Sequence, residues 1–225
     1  MKIKYHPILF STPMVQGINE NRKTQTRRTK GLEEINKNPE LYRYDGICTD
    51  EDDSYQGSHF FEYINNQGKP LETYHPIDCP YNVGDVFWVR ETFCGIIQKD
   101  ESTKYHYKAN SNWALKEALK IIWKPSLFMP KKACRFFLKI KSIRAERLQD
   151  ISEEDAIAEG IEIVGKSANG LTLYKEYHLS VPNFHPVTSF RSLWISINGI
   201  DSWMESPFVW VYEFERINKP LNFGV

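Results

Sequence analysis

A regular alternation near the C-terminus constrains the fold more than any other feature of this chain. From residue 208 to residue 215 every second residue is aromatic, and the residues between are two valines and two glutamates. Side chains of a strand alternate between faces, so this period of two predicts a strand whose aromatic face lies in a core. With 41% hydrophobic and 14% aromatic residues in 225, the chain can fill one core. We expect one domain over residues 1–217 and a tail over residues 218–225.

Other segments are predicted from composition and capping signals. Strand composition is found at Ile3–Phe10, Val86–Phe93, Tyr105–Ala109 and Cys134–Ile143. Helices are predicted from Thr12 to Asn21, from Ser152 to about Ala158, and from Thr188 or Ser189 to Asn198, and a helical or irregular segment from Asn112 to Trp123. Several strands with few short helices, and no β-α-β rhythm, predict an α+β fold: a small mixed β-barrel with flanking short helices and loop insertions.

One long stretch is predicted to be an insertion into this core. Residues 31–78 are rich in Asn, Asp, Gly, Ser and Tyr and show only weak periodicity. Within them we expect a hairpin around Phe60–Ile64, with the turn at residues 65–68, which read Asn-Asn-Gln-Gly.

Charge and cysteine usage limit the functions to consider. The 29 basic and 29 acidic residues cancel, which argues against tight, sequence-independent binding to long duplexes but permits a small ligand or a short single strand. The four cysteines form no CxxC pair, so free thiols in a reducing compartment are expected. A zinc site of His75 and Cys79 with Cys48 or His59 is an alternative, although this spacing resembles no compact ligand pattern. We expect no metal and no cofactor.

The sequence indicates a cytoplasmic location. No apolar run has the roughly 18 residues that a membrane helix needs, and the N-terminus lacks the apolar region of a secretion signal. We therefore expect no membrane association.

The segment from Arg22 to Lys30 is the strongest candidate for chemistry, because five of its nine residues are basic. A solvated edge strand is the simpler interpretation, since lysine and arginine there oppose strand pairing between molecules. It does not explain the threonines placed between the cations. A partly buried lysine can take up a proton, and a threonine hydroxyl beside such a base becomes a nucleophile. Lys23 and Thr26 would meet only if the chain bends between them.

Glu159 is the second candidate. It lies in the last turn of a short helix, where the helix dipole disfavours an anion and raises the carboxyl pKa. A raised pKa suits a proton donor, and a plain surface glutamate is the alternative.

Further residues are candidates for ligand contacts. Arg90 and Glu91 follow Trp88 at the end of a predicted strand, where they form either an ion pair or a ligand-facing rim. Trp123, Phe128 and Met129 belong to a proline-bounded loop and either stack on a base or cover the core. The full set of expected ligand-binding residues is Arg22, Thr24, Arg27, Arg28, Trp88, Arg90, Glu91, Trp123, Ser126, Met129 and Arg135.

The order of these motifs resembles a known family. A helix is followed by Arg-Lys-Thr-x-Thr, then Gly-Asp-x-x-x-Val, a long strand, Leu-x-x-Ile-Ser-Glu-Glu-Asp-Ala-x-x-Glu-Gly and a final aromatic strand. This order resembles the ASCH domain of the PUA-like superfamily, in particular the larger ASCH proteins of phages and prophages. The resemblance covers more than half of the chain, namely Pro7–Arg28, Cys79–Phe93, Trp123–Ile161 and Phe190–Arg216, and leaves 31–78 and about 162–187 as variable insertions.

The resemblance implies a small β-barrel with a cleft for a nucleotide or nucleic acid. Some small bacterial members of the family are amidohydrolases that remove the acetyl group of N4-acetylcytidine. Their motif places the base at Lys23, the nucleophile at Thr26 and the proton donor at Glu159. Asn21 stands where their motif has glycine, and Thr-Arg-Arg replaces Thr-Ile-Arg. Arg27, Arg28 or Arg90 would then hold a phosphate or the developing oxyanion.

Two functions remain open at this point. The chain is either an amidohydrolase that acts on an acylated nucleoside, or a binding module for RNA, DNA or a nucleotide without turnover. A modified nucleoside, a nucleotide or a short single-stranded nucleic acid is the expected partner in both cases. If the chain is phage-encoded, the host cytoplasm is its expected location. A role in phage morphogenesis is suggested only by the phage-like relatives, and no residue supports it.

Overall fold

The computed structural model describes residues 3–50, 53–110, 121–221 and 223. The described residues form four α-helices: α1 (Thr12–Asn19), α2 (Glu153–Ala158), α3 (Pro186–Asn198) and α4 (Ile200–Met204). They also form twelve strands: β1 (Tyr5–Leu9), β2 (Gln25–Arg28), β3 (Tyr42–Ile47), β4 (His59–Ile64), β5 (Pro70–Ile77), β6 (Val86–Arg90), β7 (Phe93–Ile97), β8 (Thr103–Tyr107), β9 (Phe137–Arg147), β10 (Ile163–Lys166), β11 (Thr172–Tyr174) and β12 (Phe208–Ile217). None of the described helices is long and apolar enough to cross a membrane.

A five-stranded sheet forms the centre of the molecule. Its strand order is β1-β6-β9-β12-β2, in which β1 and β6 are parallel and the other neighbours are antiparallel. The aromatic strand predicted near the C-terminus is β12, which pairs with β9 on one side and with β2 on the other. β2 is therefore an edge strand, and it lies within the basic segment from Arg22 to Lys30.

Both faces of this sheet are buried, which explains the residue pattern of β12. Its aromatic side chains, including Trp210 and Tyr212, join one hydrophobic cluster with Phe10 and Phe87. Its valines, Val209 and Val211, join a second cluster to which α3 contributes. The alternation thus places aromatic rings on one face and small branched residues under the helices.

The predicted barrel is not closed within the described residues. The main sheet has two free edges, β1 and β2, and these edges meet through a side chain instead of a backbone ladder. The Nη2 atom of Arg28 in β2 donates to the carbonyl of Leu9 in β1 at 3.1 Å. The coarser expectation of a mixed α+β fold, mostly strands with a few short helices, is confirmed.

The first insertion contains a three-stranded sheet, β3-β4-β5. The predicted hairpin is present as β4 and β5, whereas β3 was not predicted. This inserted sheet covers part of the aromatic face, since the His59 ring lies 4.6 Å from the Trp210 ring and the Phe61 ring 6.2 Å from it, centroid to centroid. The second insertion forms the small hairpin β10–β11.

Several predicted boundaries are wrong. The expected strand Val86–Phe93 ends at Arg90, because the amide of Glu91 donates to the sulfur of Met129 and the chain then turns into β7. Helix α3 begins at Pro186, two residues before Thr188, because proline is favoured at the first helical position. Helix α1 ends at Asn19 and not at Asn21. The strand predicted for Cys134–Ile143 spans Phe137–Arg147, and the strand predicted for Tyr105–Ala109 spans Thr103–Tyr107. Helix α4 was not predicted. Most of the predicted segment Asn112–Trp123 lies outside the described residues.

Candidate functional site

Lys23 is placed by a tight turn between α1 and β2. Asn21 adopts the left-handed conformation with φ of 57°, and the amides of Arg22 and Lys23 both donate to the carbonyl of Gly17, at 2.8 and 3.1 Å. This turn brings the chain back towards the end of α2, where the amide of Thr24 donates to the Ala158 carbonyl at 2.8 Å. The turn therefore lies before Lys23 and not between Lys23 and Thr26, where a bend was expected.

Two glycines make room for the lysine. Gly160 has a φ of +85°, and a Cβ atom there would lie 2.6 Å from the Cβ of Lys23. A Cβ atom on Gly17 would lie 3.2 Å from the same atom. Gly160 both ends α2 and permits the close approach, so glycine is required by conformation and by space.

Lys23 and Glu159 form a buried ion pair. The Lys23 Nζ atom lies 2.7 Å from Oε2 of Glu159 and also donates to the backbone carbonyl of Glu159 at 2.8 Å. The two side chains are 0% and 3% exposed. The Nζ atom also lies 5.4 Å from the centre of the Phe10 ring. Lys23 and Glu159, which were predicted separately as site residues, are thus in direct contact and shielded from solvent.

Arg27 occupies the other oxygen of Glu159. Its Nη1 atom lies 3.1 Å from Oε1 of Glu159, and its Nη2 atom contacts Glu146 at 2.6 Å and Asp155 at 2.8 Å. Each carboxylate oxygen of Glu159 is therefore hydrogen-bonded to a buried cation. Glu146 and Asp155 were not among the predicted site residues. Asp155 also takes part in the N-cap of α2, since its amide donates to Ser152 Oγ.

Burial and charge shift the pKa values of this cluster. Burial lowers the pKa of Lys23 below its ordinary value despite the neighbouring carboxylate. Burial alone would raise the pKa of Glu159, but the charges of Lys23 and Arg27 outweigh it and hold the pKa below its ordinary value. The upward shift expected from the helix dipole is therefore reversed, because the dipole effect is small beside two contacting cations.

A small cavity borders this cluster. Its volume is about 80 Å³, and it lies between β2 and the apolar face of α3. Its lining consists of Met14, Arg27, Arg28, Thr29, Glu159, Phe190, Leu193, Trp194, Ile197 and Asn198. Glu159 and two arginines are thus placed against an otherwise largely apolar wall.

Arg28 differs from its neighbour because none of the described carboxylates contacts it. Its Nη1 and Nη2 atoms donate to the carbonyls of Arg27 and Leu9, at 3.0 and 3.1 Å, and its guanidinium lies 5.3 Å from the centre of the Phe10 ring. A guanidinium has five N–H groups, so donors remain available beside the cavity. Burial lowers the pKa of Arg28.

Thr26 is buried on the face of the sheet that carries Tyr212. Its side chain is fully enclosed, it stands opposite Tyr212 in the ladder, and its hydroxyl has no hydrogen-bond partner among the described residues. Lys23 and Glu159 are thus brought together, whereas the Thr26 hydroxyl makes no hydrogen bond to Lys23.

The other residues of the basic motif have local roles. Arg22 donates from Nη1 to the carbonyls of Gly160 and Ile161, at 2.5 and 3.0 Å, and so fastens the end of α2. Thr24 is exposed, and its carbonyl accepts a hydrogen bond from the amide of Phe214. It borders an open groove of about 530 Å³ that Lys23 also lines.

Five of the remaining expected ligand residues lie around Glu91, namely Trp88, Arg90, Met129, Arg135 and Glu91 itself. The carboxylate of Glu91 accepts two hydrogen bonds from Arg135, at 2.7 and 2.8 Å. Trp88 and Met129 are buried in the hydrophobic cluster of β6. Arg90 lies 5.5 Å from the centre of the Trp88 ring, and neither its Nε atom nor the indole nitrogen of Trp88 has a partner among the described residues.

Two residues of the proline-bounded loop differ strongly in exposure. Met129 is 1% exposed, whereas Phe128 is 66% exposed. Trp123 and Ser126 are half-buried. Within the described part of the chain, no group of three His, Cys, Asp or Glu side chains could hold a metal ion.

Comparison with known proteins adds no family assignment. No protein-family model, no curated protein and no solved structure matches the chain. The case for any function therefore depends on the residues and on the geometry described above.

Proposed function

We propose that this chain is an ASCH-type protein of the PUA-like superfamily and an amidohydrolase that removes the acyl group of a modified nucleoside such as N4-acetylcytidine. One observation carries the proposal: Lys23 and Glu159, which are 136 residues apart, form a fully buried ion pair at 2.7 Å. A buried ion pair is weak evidence for stability, since desolvation offsets its attraction. Perturbed buried charges beside a cavity are typical of functional sites.

The Lys23–Glu159 pair can supply both the base and the acid that the reaction needs. Transfer of one proton from Lys23 to Glu159 along their hydrogen bond gives a neutral amine and a carboxylic acid without changing the net charge. The amine then takes the Thr26 proton while Oγ1 attacks the acyl carbonyl, and Glu159 gives its proton to the departing N4 amine. These two proton transfers already restore the Lys23–Glu159 ion pair. Water then hydrolyses the acyl-threonine: its hydroxyl adds to the acyl carbon, its other proton returns to Oγ1 of Thr26, and the acyl group leaves as the carboxylic acid.

Two neighbouring arginines affect this scheme in opposite ways. Arg27 stabilises ionised Glu159 and so opposes the proton transfer, although burial lowers the pKa of Lys23 and favours the neutral amine. Arg28 has free donors beside the cavity and would stabilise the oxyanion that forms at the carbonyl. A cavity of about 80 Å³ is far below the roughly 300 Å³ of a small-molecule site, so only the acyl group would enter and the nucleoside would lie at its mouth.

One observation favours a second candidate, a binding module without turnover. The Thr26 hydroxyl is buried, is not hydrogen-bonded to Lys23 and does not line the cavity beside Glu159. Attack by Thr26 thus requires the edge strand β2 to shift. In a module that only binds, the same cations would hold a nucleotide and no shift would be needed.

Hydrolysis of N4-acetylcytidine, followed by chromatographic detection of cytidine, tests both candidates. The amidohydrolase proposal expects turnover by the wild type that is lost in Lys23→Met, Thr26→Ala and Glu159→Gln and retained in the exposed control Lys139→Ala. Turnover that persists in Thr26→Ala would exclude the acyl-threonine step. Absence of turnover in the wild type, together with nucleotide binding that Arg28→Gln weakens, would favour the binding module. The proposed site of action is the cytoplasm.

A further inference from the structure

A second cleft lies where the inserted sheet meets the main sheet. It has a volume of about 690 Å³, within the usual range for small-molecule sites, and shares no lining residue with the cavity beside Glu159. Its lining residues come from the ends of β3 and β5, the start of β4 and the middle of β9. They are Ile47, Cys48, Thr49, Gln56, Gly57, His59, Asp78, Cys79, Tyr81, Asn82, Val83 and Ile143.

One wall of the cleft is a fixed aromatic ring. Tyr81 packs edge-on against Phe87, with ring centres 4.8 Å apart, and against Tyr212 at 5.4 Å. The ring of His6 lies 4.8 Å away on another side. A half-buried ring that is held by three others loses little entropy when a flat ligand stacks on it.

His59 contributes an uncharged ring to this cleft. Its Nδ1 atom lies 2.8 Å from the phenol oxygen of Tyr44, and the two groups share one hydrogen bond. Burial lowers the pKa of His59 to about 4, so the ring is uncharged at neutral pH.

Asp78 offers the complementary acceptor. Its Oδ1 atom accepts a hydrogen bond from Ser58 Oγ at 2.7 Å, which orients the carboxylate. Its Oδ2 atom accepts no hydrogen bond from the described residues. Gln56 and Asn82 add amide groups to the same lining. The cleft therefore presents donors and an anionic acceptor around an aromatic wall.

The charge of the cleft selects against anions. Asp78 is the one charged residue among the lining residues that the structure describes, and none of them is lysine or arginine. A phosphate there would lie next to the Asp78 carboxylate with no lysine or arginine among the described lining residues to pair with. A nearby cation is Lys30, whose Nζ atom lies 6.0 Å from the centre of the Tyr81 ring. A neutral planar ligand with N–H groups would satisfy Asp78 and stack on Tyr81.

We propose that this cleft binds an amino-bearing nucleobase or its nucleoside, without a phosphate, by stacking on Tyr81 and by donation of N–H groups to Asp78. The inference goes beyond the proposed hydrolysis, because it assigns a separate site to the 31–78 insertion and does not involve Lys23, Thr26 or Glu159. The two sites also differ in charge, since the cavity beside Glu159 is lined by Arg27 and Arg28, whereas the only charged residue among the described lining residues of the second cleft is Asp78.

Equilibrium titration of the purified full chain with guanosine, adenosine, cytidine and uridine, and with their 5′-monophosphates, tests this inference. Binding measured by calorimetry should be detected for at least one amino-bearing nucleoside and be weaker for uridine. The matching monophosphate should bind about tenfold more weakly or worse, since one repulsive charge contact is introduced.

Matched variants localise the effect. Asp78→Asn keeps an acceptor for Ser58 but removes the charge, so affinity should fall about tenfold, as for a lost charge-assisted hydrogen bond. Asp150→Asn, in a different cleft on the edge of the inserted sheet, is the control and should bind as the wild type does. The inference is overturned if no nucleoside binds, if monophosphates bind as tightly, or if Asp78→Asn retains full affinity. These results do not depend on whether N4-acetylcytidine is hydrolysed.

Discussion

The Lys23–Glu159 pair and the Arg135–Glu91 pair contain the same kind of buried carboxylate in different surroundings. Glu159 is 3% exposed and contacts two cations, both fully enclosed, whereas Glu91 is 2% exposed and contacts one cation that is 22% exposed. The pKa of Glu159 is lowered, and the pKa of Glu91 is raised because burial outweighs the effect of Arg135.

The difference shows that two contacting cations outweigh the effect of burial on the pKa of a carboxylate, whereas one half-buried cation does not. Arg135 also lies over the rings of Tyr107 in β8 and Phe136 just before β9, at 4.1 and 4.6 Å. In the Lys23–Glu159 pair, by contrast, Glu159 lines a cavity. We therefore regard the first pair as the candidate site and the second as a structural contact.

Removal of Lys23 should have the largest effect on stability. In Lys23→Ala the carboxylate of Glu159 loses its closest partner, and breaking a buried pair in this way costs about 3–5 kcal/mol in free energy of unfolding. Chemical denaturation at pH 7 measures the loss. The double variant Lys23→Met/Glu159→Gln removes both charges and should recover part of it. A loss below about 1 kcal/mol in Lys23→Ala would show that the pair is not desolvated.

Substitution of Gly160 should have the next largest effect. In Gly160→Ala the new Cβ atom would lie 2.6 Å from the Cβ of Lys23 at a φ of +85°. We expect a loss of about 3 kcal/mol, from the left-handed conformation and the overpacking together. Gly170→Ala is the matched control, since its φ is +80° with nothing within 4 Å of the added atom, and should lose only about 1 kcal/mol. Equal losses in both variants would contradict the close approach.

Removal of Arg135 should cost less than removal of Lys23. Glu91 would lose its partner in Arg135→Ala, but the site is partly open to water, so we expect a loss of about 2 kcal/mol. The same denaturation experiment measures it. A loss as large as that of Lys23→Ala would remove the distinction between the two pairs.

The smallest effect should be a difference in pH dependence between the two acids. The folded pKa of Glu159 is lowered, so its stabilising contribution is present above the unfolded pKa of about 4.3 and is lost as the pH falls towards the folded pKa. The folded pKa of Glu91 is raised, so its contribution grows as the pH falls through that value.

Two variants separate these slopes. Between pH 7 and pH 3, the stability advantage of wild type over Glu159→Gln should shrink, and that over Glu91→Gln should grow. Urea denaturation at several pH values measures both differences. Slopes of the same sign for the two variants would refute the assigned pKa directions.

Local signals accounted for much of the fold. The alternation of β12 and the capping and stop signals of α2 predicted those elements because both depend on neighbours in sequence. The barrel was wrong because closure depends on how β1 and β2 meet, and no local pattern encodes that they meet through Arg28. Strand β3 was missed although its burial alternates, because Gly46 stands at a half-buried position and Ile47 at an exposed one, which obscures the alternation in the sequence.

The candidate site was partly predictable for the same reason. Lys23 and Glu159 were selected from motif and helix position, and the structure places them in contact. The partners of Arg27 were not foreseen, because Glu146 and Asp155 come from a strand and a helix more than 100 residues away. The orientation of Thr26 towards Tyr212 follows from the register of β2 on β12, which sequence spacing does not determine.

Hydrolysis of N4-acetylcytidine by Lys23→Met, measured beside Arg135→Met under identical conditions, tests the central claim most directly. Each variant replaces the cationic side chain of one buried pair by the uncharged side chain of methionine. If the Lys23–Glu159 pair carries the chemistry, wild-type turnover is abolished in Lys23→Met and retained in folded Arg135→Met. Turnover that survives in folded Lys23→Met, or that is lost equally in both folded variants, would contradict the assignment of the site.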